Sequence, residues 1–112
     1  MKIIKRNGSL VDFDKTKIYD AMHKAASSVY VVSEDLSLNL HRIANSIEAQ
    51  LLESKADALT ISMVQALVEE KLLSAGYIHI AEHYISYRLK RDIDRTEYKD
   101  KVIVRLNLEQ IR

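Results

Sequence analysis

Apolar residues recur with a period near 3.6 in four stretches of this chain, the mark of amphipathic helices. The first covers about residues 15–29, with Ile18, Ala21, Met22, Ala25 and Val29 on one face and Asp14 placed to cap its start. A second begins at Ser33, a capping residue followed by Glu34 and Asp35, where carboxylates favour the helix dipole. Its apolar face is Leu36, Leu40, Ile43, Ala44, Ile47 and Leu51. The third starts at Thr60 with the stripe Val64, Leu67, Val68 and Leu72, and Gly76 suits the left-handed position that ends it. The fourth spans about residues 78–95, with Ile78, Ala81, Ile85 and Leu89 on one edge and Tyr84, Tyr87 and Arg91 beside it.

Two short segments follow a different rhythm. Ile3-Ile4, Lys5-Arg6-Asn7-Gly8 and Ser9-Leu10-Val11-Asp12 read as strand, turn and strand. Asn-Gly between two apolar runs predicts a type I′ hairpin, which needs positive φ at both central residues. Ala58-Leu59-Thr60-Ile61 is short and β-compatible, a candidate third strand. The pattern therefore predicts an α+β fold, a small N-terminal hairpin capping a four-helix bundle, with Ile4 and Phe13 packing from sheet to helices. Residues 96–112, where Val102-Ile103-Val104-Arg105-Leu106 alternates weakly, read as a tail or a linker to a following domain.

A length of 112 residues allows one domain, and an apolar fraction of 47% is enough for a core. The chain has no cysteine, which excludes a disulfide, a thiolate metal site and a cysteine nucleophile within it. No apolar run approaches the roughly 20 residues that span a bilayer, and the N-terminus lacks a signal-peptide core, so a cytoplasmic location is expected. A net charge of +1 argues against direct nucleic-acid binding. Its distribution is uneven. Residues 1–24 carry six Lys/Arg against three Asp/Glu, residues 25–87 three against eight, and residues 88–101 six against four. A fold that joins the two ends creates a local basic site.

Candidate chemistry sits at those ends. No glycine-rich phosphate loop is present, so an anion site must use side-chain cations and a few amides. Lys5 and Arg6 flank the turn, and the amides of Asn7 and Gly8 suit an anion-binding nest. Lys17 lies in the first turn of a helix, whose N-terminus favours anions. These three cations are expected to converge on a triphosphate, with Arg88, Lys90 and Arg91 on the last helix closing the site. Taken on spacing alone, each is an ordinary surface cation. His79 and His83 stand four apart, yet Glu82 between them breaks the His-Glu-x-x-His pattern, so no metal site is expected. Glu69-Glu70 reads as a solvated face, and Ser27-Ser28 lacks the setting of a nucleophile.

Lys5-Arg6-Asn7-Gly8, Phe13-Asp14 and Lys17-Ile18, with the run from Thr60 to Leu73 and Tyr84-Ile85-Ser86-Tyr87-Arg88, resemble the ATP-cone domain across about residues 2–95. That module stands at the N-terminus of many ribonucleotide reductases, and a related one occurs in a bacterial repressor of reductase genes. Lys90-Arg91-Asp92-Ile93 is most similar to the anaerobic, glycyl-radical reductases. The family usually has Asp where this chain has Asn7, and Asn suits a left-handed turn equally well. The resemblance implies an ATP-cone regulatory domain over residues 1–95, with Ala58–Ile61 joining the hairpin. It also implies phosphate contact by Lys5, Arg6 and Lys17, and a base pocket at Val11, Thr60, Ile61, Val64 and Gln65.

The function implied is allosteric. ATP or dATP, with Mg²⁺, would bind as effector and report the ATP:dATP balance, permitting or inhibiting reduction through oligomeric state. Partners would be the catalytic domain of a ribonucleoside-triphosphate reductase and further copies of the chain. Reductases of this kind use a cysteine thiyl radical, so this cysteine-free chain is not itself expected to be catalytic. Two other readings compete. One is the effector domain of a nucleotide-responsive repressor, whose family carries a cysteine zinc ribbon. The other is a degenerate cone acting only as an interaction module.

Overall fold

A computed structural model of the chain describes residues 1–90. The order of elements is β1 (Lys2–Ile4), β2 (Leu10–Asp12), α1 (Lys15–Ser27), α2 (Glu34–Glu53), β3 (Ala58–Thr60) and α3 (Ile61–Ser74). A fourth helix, α4, begins at residue 78 and continues to residue 90. The fold is α+β, a small mixed sheet over four helices, as the periodicity predicts. The expectations for Arg91, the helix beyond residue 90 and the 96–112 tail lie outside the described residues.

The sheet has the order β2-β1-β3, with β1 antiparallel to β2 and parallel to β3. Ile3 stands between Val11 and Leu59 in the register, and these three residues make the helix-facing side. Ile3 and Leu59 are buried and Val11 is half-buried against the core. This corrects the expectation for Ile4, which alternation turns to the other side with Leu10 and Thr60. Phe13 does pack on the core.

α1, α2 and α3 each begin at a side-chain cap. Asp14 accepts from the Thr16 N–H at 2.9 Å, Ser33 from Leu36 at 3.1 Å and Thr60 from Met63 at 3.3 Å. The end of α3 is a Schellman turn. Gly76, at φ 86°, donates to the Leu73 carbonyl, and Tyr77 donates to Leu72. The end of α2 lacks a glycine, and Lys55 takes the left-handed position at φ 55°.

The core is dry. Met22, Leu40, Ile47, Val68, Leu72 and Ile80 are its largest fully buried side chains, and no buried side chain among the described residues is charged. The whole expected stripe of α3 is buried. The expected edge of α4 is so only in its middle: Ala81 is buried and Ile85 packs on the core, whereas Ile78 and Leu89 are about half exposed. This helix is apolar on two adjacent edges, and packing turns Ile80 and Tyr84 inward beside Ala81.

Candidate functional site

The hairpin turn is built differently from the type I′ expectation. Gly8 N–H donates to the Lys5 carbonyl at 2.9 Å, and Lys5 N–H donates to the Ser9 carbonyl at 2.8 Å. Gly8 has φ 86°, and Asn7 is not among the residues with positive φ. Those bonds define a three-residue loop, a type I turn at Arg6-Asn7 followed by a left-handed glycine. Asn7 contributes through its side chain, whose Oδ1 accepts from Ser9 N–H at 3.0 Å and from Ser9 Oγ at 2.7 Å. The Gly8 amide expected in an anion nest is engaged by the turn itself.

Strand directions decide what lies near this turn. β1 and β3 are parallel, with Ile4 beside Thr60, so the turn and the start of α3 share one end of the sheet. Arg6 makes that proximity a contact. Its Nη2 donates to Gln65 Oε1 at 2.8 Å, across 59 residues of sequence. Thr60 caps α3, Ile61 packs on the core and Val64 is buried in it. Two expected groups, the cationic turn and the Thr60–Gln65 segment, are thus brought together. Val11 sits on the helix-facing side of β2.

Lys17 enters from elsewhere. It is exposed in the first turn of α1, which follows β2 at the end of the sheet away from the hairpin turn. Three-residue strands separate those ends by only about 10 Å. The fold therefore supplies proximity on the scale of one short strand between Lys17 and the turn. At that far end Lys2 holds Asp12 in an exposed ion pair. The Lys2 hydrogen bond, and then its charge, lower the Asp12 carboxyl from its ordinary value of 3.8.

Arg88 is engaged with α3. Its Nε and Nη2 fork onto one oxygen of Glu69, at 2.9 and 2.7 Å, with both side chains 20% exposed. Lys90 is exposed at the end of the described part of α4, and Arg91 lies outside the described residues. Glu69 is the residue that sequence reasoning missed. It is the half-buried partner of an arginine on the next helix, not part of a solvated face. Its only signal is its spacing, since Gln65 and Glu69 are i, i+4 neighbours on one helix face.

The remaining polar side chains mostly tie helices together. The Tyr19 ring stacks on His41 at 3.7 Å, and its hydroxyl meets Ser37 Oγ at 2.7 Å. Asn39 donates to the Tyr77 hydroxyl and Lys24 to the Tyr87 hydroxyl, at 2.9 and 2.8 Å. His79 faces Glu82 at 3.6 Å. Among the described residues no group of His, Cys, Asp and Glu forms a metal-binding cluster, and no helix is long and apolar enough to cross a membrane.

A short strand–turn–strand with cations at its tip, joined to a third strand and a four-helix body, is the arrangement that the ATP cone domain model matches over residues 1–93. The chain belongs to the ATP cone family. Similar proteins include the anaerobic ribonucleoside-triphosphate reductase of Haemophilus influenzae, 33% identical over 83% of this chain and 13% of that protein. The ribonucleoside-diphosphate reductase subunit alpha of Chlamydia trachomatis is 29% identical over 83% of this chain and 10% of its own length. The transcriptional repressor NrdR of Picosynechococcus is 30% identical over 84% of this chain and half of its length. The chain thus spans only 10–13% of the length of these two reductases.

Proposed function

We propose that this ATP cone is a nucleotide-sensing regulatory domain of a ribonucleotide reductase, acting in the cytoplasm. It takes ATP or dATP, with Mg²⁺, as effector. The observation that carries the reading is the Arg6–Gln65 hydrogen bond. It ties the cationic turn to the first turns of α3, which supports phosphate capture at the turn beside a surface suited to the rest of a nucleotide. In this reading Lys5, Arg6 and Lys17 hold the phosphates, with the Asn7-Gly8 turn giving their spacing. Val11, Thr60, Ile61, Val64 and Gln65 flank the base and sugar, and Arg88, Lys90 and Arg91 lie on the closing helix.

ATP and dATP differ by one ribose hydroxyl. They switch a protein only by binding its two states with different affinities. The states proposed differ in self-association and in contact with a catalytic domain of the anaerobic, triphosphate-reducing kind, to which the Haemophilus likeness points. A second reading, the effector half of a repressor, draws on the likeness to NrdR. The reductase reading is preferred because the anaerobic reductases of Haemophilus influenzae, Salmonella typhimurium and Escherichia coli are 31–33% identical, against 30% for the repressor.

Thermal melting of the 112-residue chain with and without nucleotide tests the proposal. Millimolar ATP or dATP at a micromolar Kd adds about 4 kcal/mol and raises the midpoint. An unchanged midpoint with both nucleotides, in a chain that melts cooperatively, contradicts it.

A further inference from the structure

Asn7-Gly8 is the one Asn-Gly pair in the chain, since Asn39, Asn45 and Asn107 precede Leu40, Ser46 and Leu108. It stands exposed at the tip of the hairpin. A glycine has no Cβ, so no side chain shields its amide nitrogen from the carboxamide before it. We propose that Asn7 is a site of spontaneous covalent modification, deamidation by the Gly8 amide, and that Ser9 is the positioning residue that restrains it. The inference goes beyond the function proposed above and does not depend on it.

The reaction needs only water. The Gly8 backbone nitrogen bonds to Asn7 Cγ, the Cγ–Nδ2 bond breaks, and the Gly8 amide proton leaves with Nδ2 as ammonia. The product is a cyclic imide across Asn7 and Gly8. Water then opens it at either carbonyl. Cleavage of the new Cγ–N bond gives aspartate. Cleavage of the original peptide bond gives isoaspartate, whose main chain runs through Cβ and Cγ and is longer by a carbon. Either product sets a carboxylate between Arg6 and Gly8 where a neutral amide stood.

Three hydrogen bonds decide how readily this runs. The Gly8 N–H, whose proton must leave, is given to the Lys5 carbonyl at 2.9 Å. The Asn7 Oδ1 accepts from Ser9 N–H at 3.0 Å and from Ser9 Oγ at 2.7 Å. Taken alone, the two Ser9 donors polarise the carboxamide and favour attack. Both are exposed, and there they add little to what water itself supplies. Their larger effect is to hold the Asn7 side chain at Ser9 and the loop closed around the Gly8–Lys5 bond. Reaction therefore proceeds from the opened turn, and its rate reports local opening. The isoaspartyl product does not fit the loop, because an extra main-chain atom displaces the Gly8 nitrogen from the Lys5 carbonyl. Aspartate keeps an oxygen for Ser9.

The 112-residue chain, incubated in mildly alkaline buffer both folded and in urea, provides the test. Peptide masses score the exchange of amide for acid at each asparagine, and chromatography separates aspartate from isoaspartate. Wild type is compared with Ser9→Ala and with Ser9→Thr, which keeps the hydroxyl. Melting midpoints verify that each variant folds. Acid is expected to accumulate at Asn7 ahead of the other asparagines, about tenfold more slowly in the folded chain than in urea. Ser9→Ala is expected to speed the folded reaction about threefold, the share of one exposed hydrogen bond. Ser9→Thr should return it to the wild-type rate, and in urea the three chains should react alike. An Asn7 that stays an amide in the folded chain overturns the site. A folded rate no lower than that in urea, a Ser9→Ala chain that reacts no faster than wild type, or a Ser9→Thr chain that reacts like Ser9→Ala overturns the restraint.

Discussion

Two arginines reach the same face of α3 four residues apart, and the fold treats them oppositely. Arg88 arrives from α4, meets the Glu69 carboxylate at 2.7 Å, and both side chains are 20% exposed. Arg6 arrives from the hairpin tip, meets the neutral Gln65 amide at 2.8 Å and is exposed. Water screens little at the first contact and much at the second. The Glu69–Arg88 pair therefore concerns stability and the seating of α4. The exposed Gln65–Arg6 contact joins the hairpin turn to α3. One helix face carries a shielded ion pair at one turn and an exposed hydrogen bond at the next.

Breaking the shielded pair has the largest predicted effect. Glu69→Ala leaves a half-buried guanidinium without its carboxylate, and urea denaturation is expected to show a loss of about 2 kcal/mol. The same measurement on Gln65→Ala should move stability by no more than about 0.5 kcal/mol, because the hydrogen bond it loses is exposed and uncharged on the glutamine side. Equal losses at the two positions would erase the distinction.

Affinity should sort the residues the other way. Arg6→Ala, Lys5→Ala and Lys17→Ala are each expected to weaken ATP binding by about tenfold, or about 1.4 kcal/mol, with folding unchanged. Calorimetric titration reads this directly. An unaltered affinity in Lys17→Ala would confine phosphate capture to the hairpin end of the sheet.

Smaller effects sharpen the exposed side of the comparison. The Asp12 carboxyl is lowered by Lys2, so its ion pair contributes to stability at neutral pH, and that contribution is lost as pH falls from the ordinary value of 3.8 through the lowered folded value. Asp12→Asn should flatten only that acid limb of the stability profile, without moving the Glu69–Arg88 brace. At Lys55, φ 55° suits glycine, and Lys55→Gly is expected to stabilise by about 0.5 kcal/mol, since strain relief exceeds the added chain entropy.

How much of this was legible in the sequence depends on the reach of the interactions. α2 and α3 were fully readable, because their faces, their Ser33 and Thr60 caps and the Gly76 stop are local. The α+β class follows from these helices together with the hairpin signal at Asn7-Gly8. The turn type is not legible locally, because Asn7-Gly8 fits both a two-residue and a three-residue loop, and register decides. Ile3 and Ile4 are adjacent and alike, so only pairing with Leu59 shows which one enters the core. α4 carries apolar residues on two edges, and tertiary packing chose Ile80 and Tyr84 over Ile78 and Leu89. Of the site, the cations could be named from their motif. The partners Gln65 and Glu69 could not be paired with them, because those contacts cross 59 and 19 residues.

The central claim is that a nucleotide sits where the hairpin tip meets the start of α3. Amide chemical shifts of the ¹⁵N-labelled chain, recorded during titration with ATP and Mg²⁺, test it most directly. The account predicts that the largest changes fall on residues 5–9, 60–65 and the first turn of α1, while the amides of the α1–α2 contact around Tyr19 and His41 stay in place. Saturable shifts centred on that α1–α2 contact, or no saturable shifts at all, would contradict it.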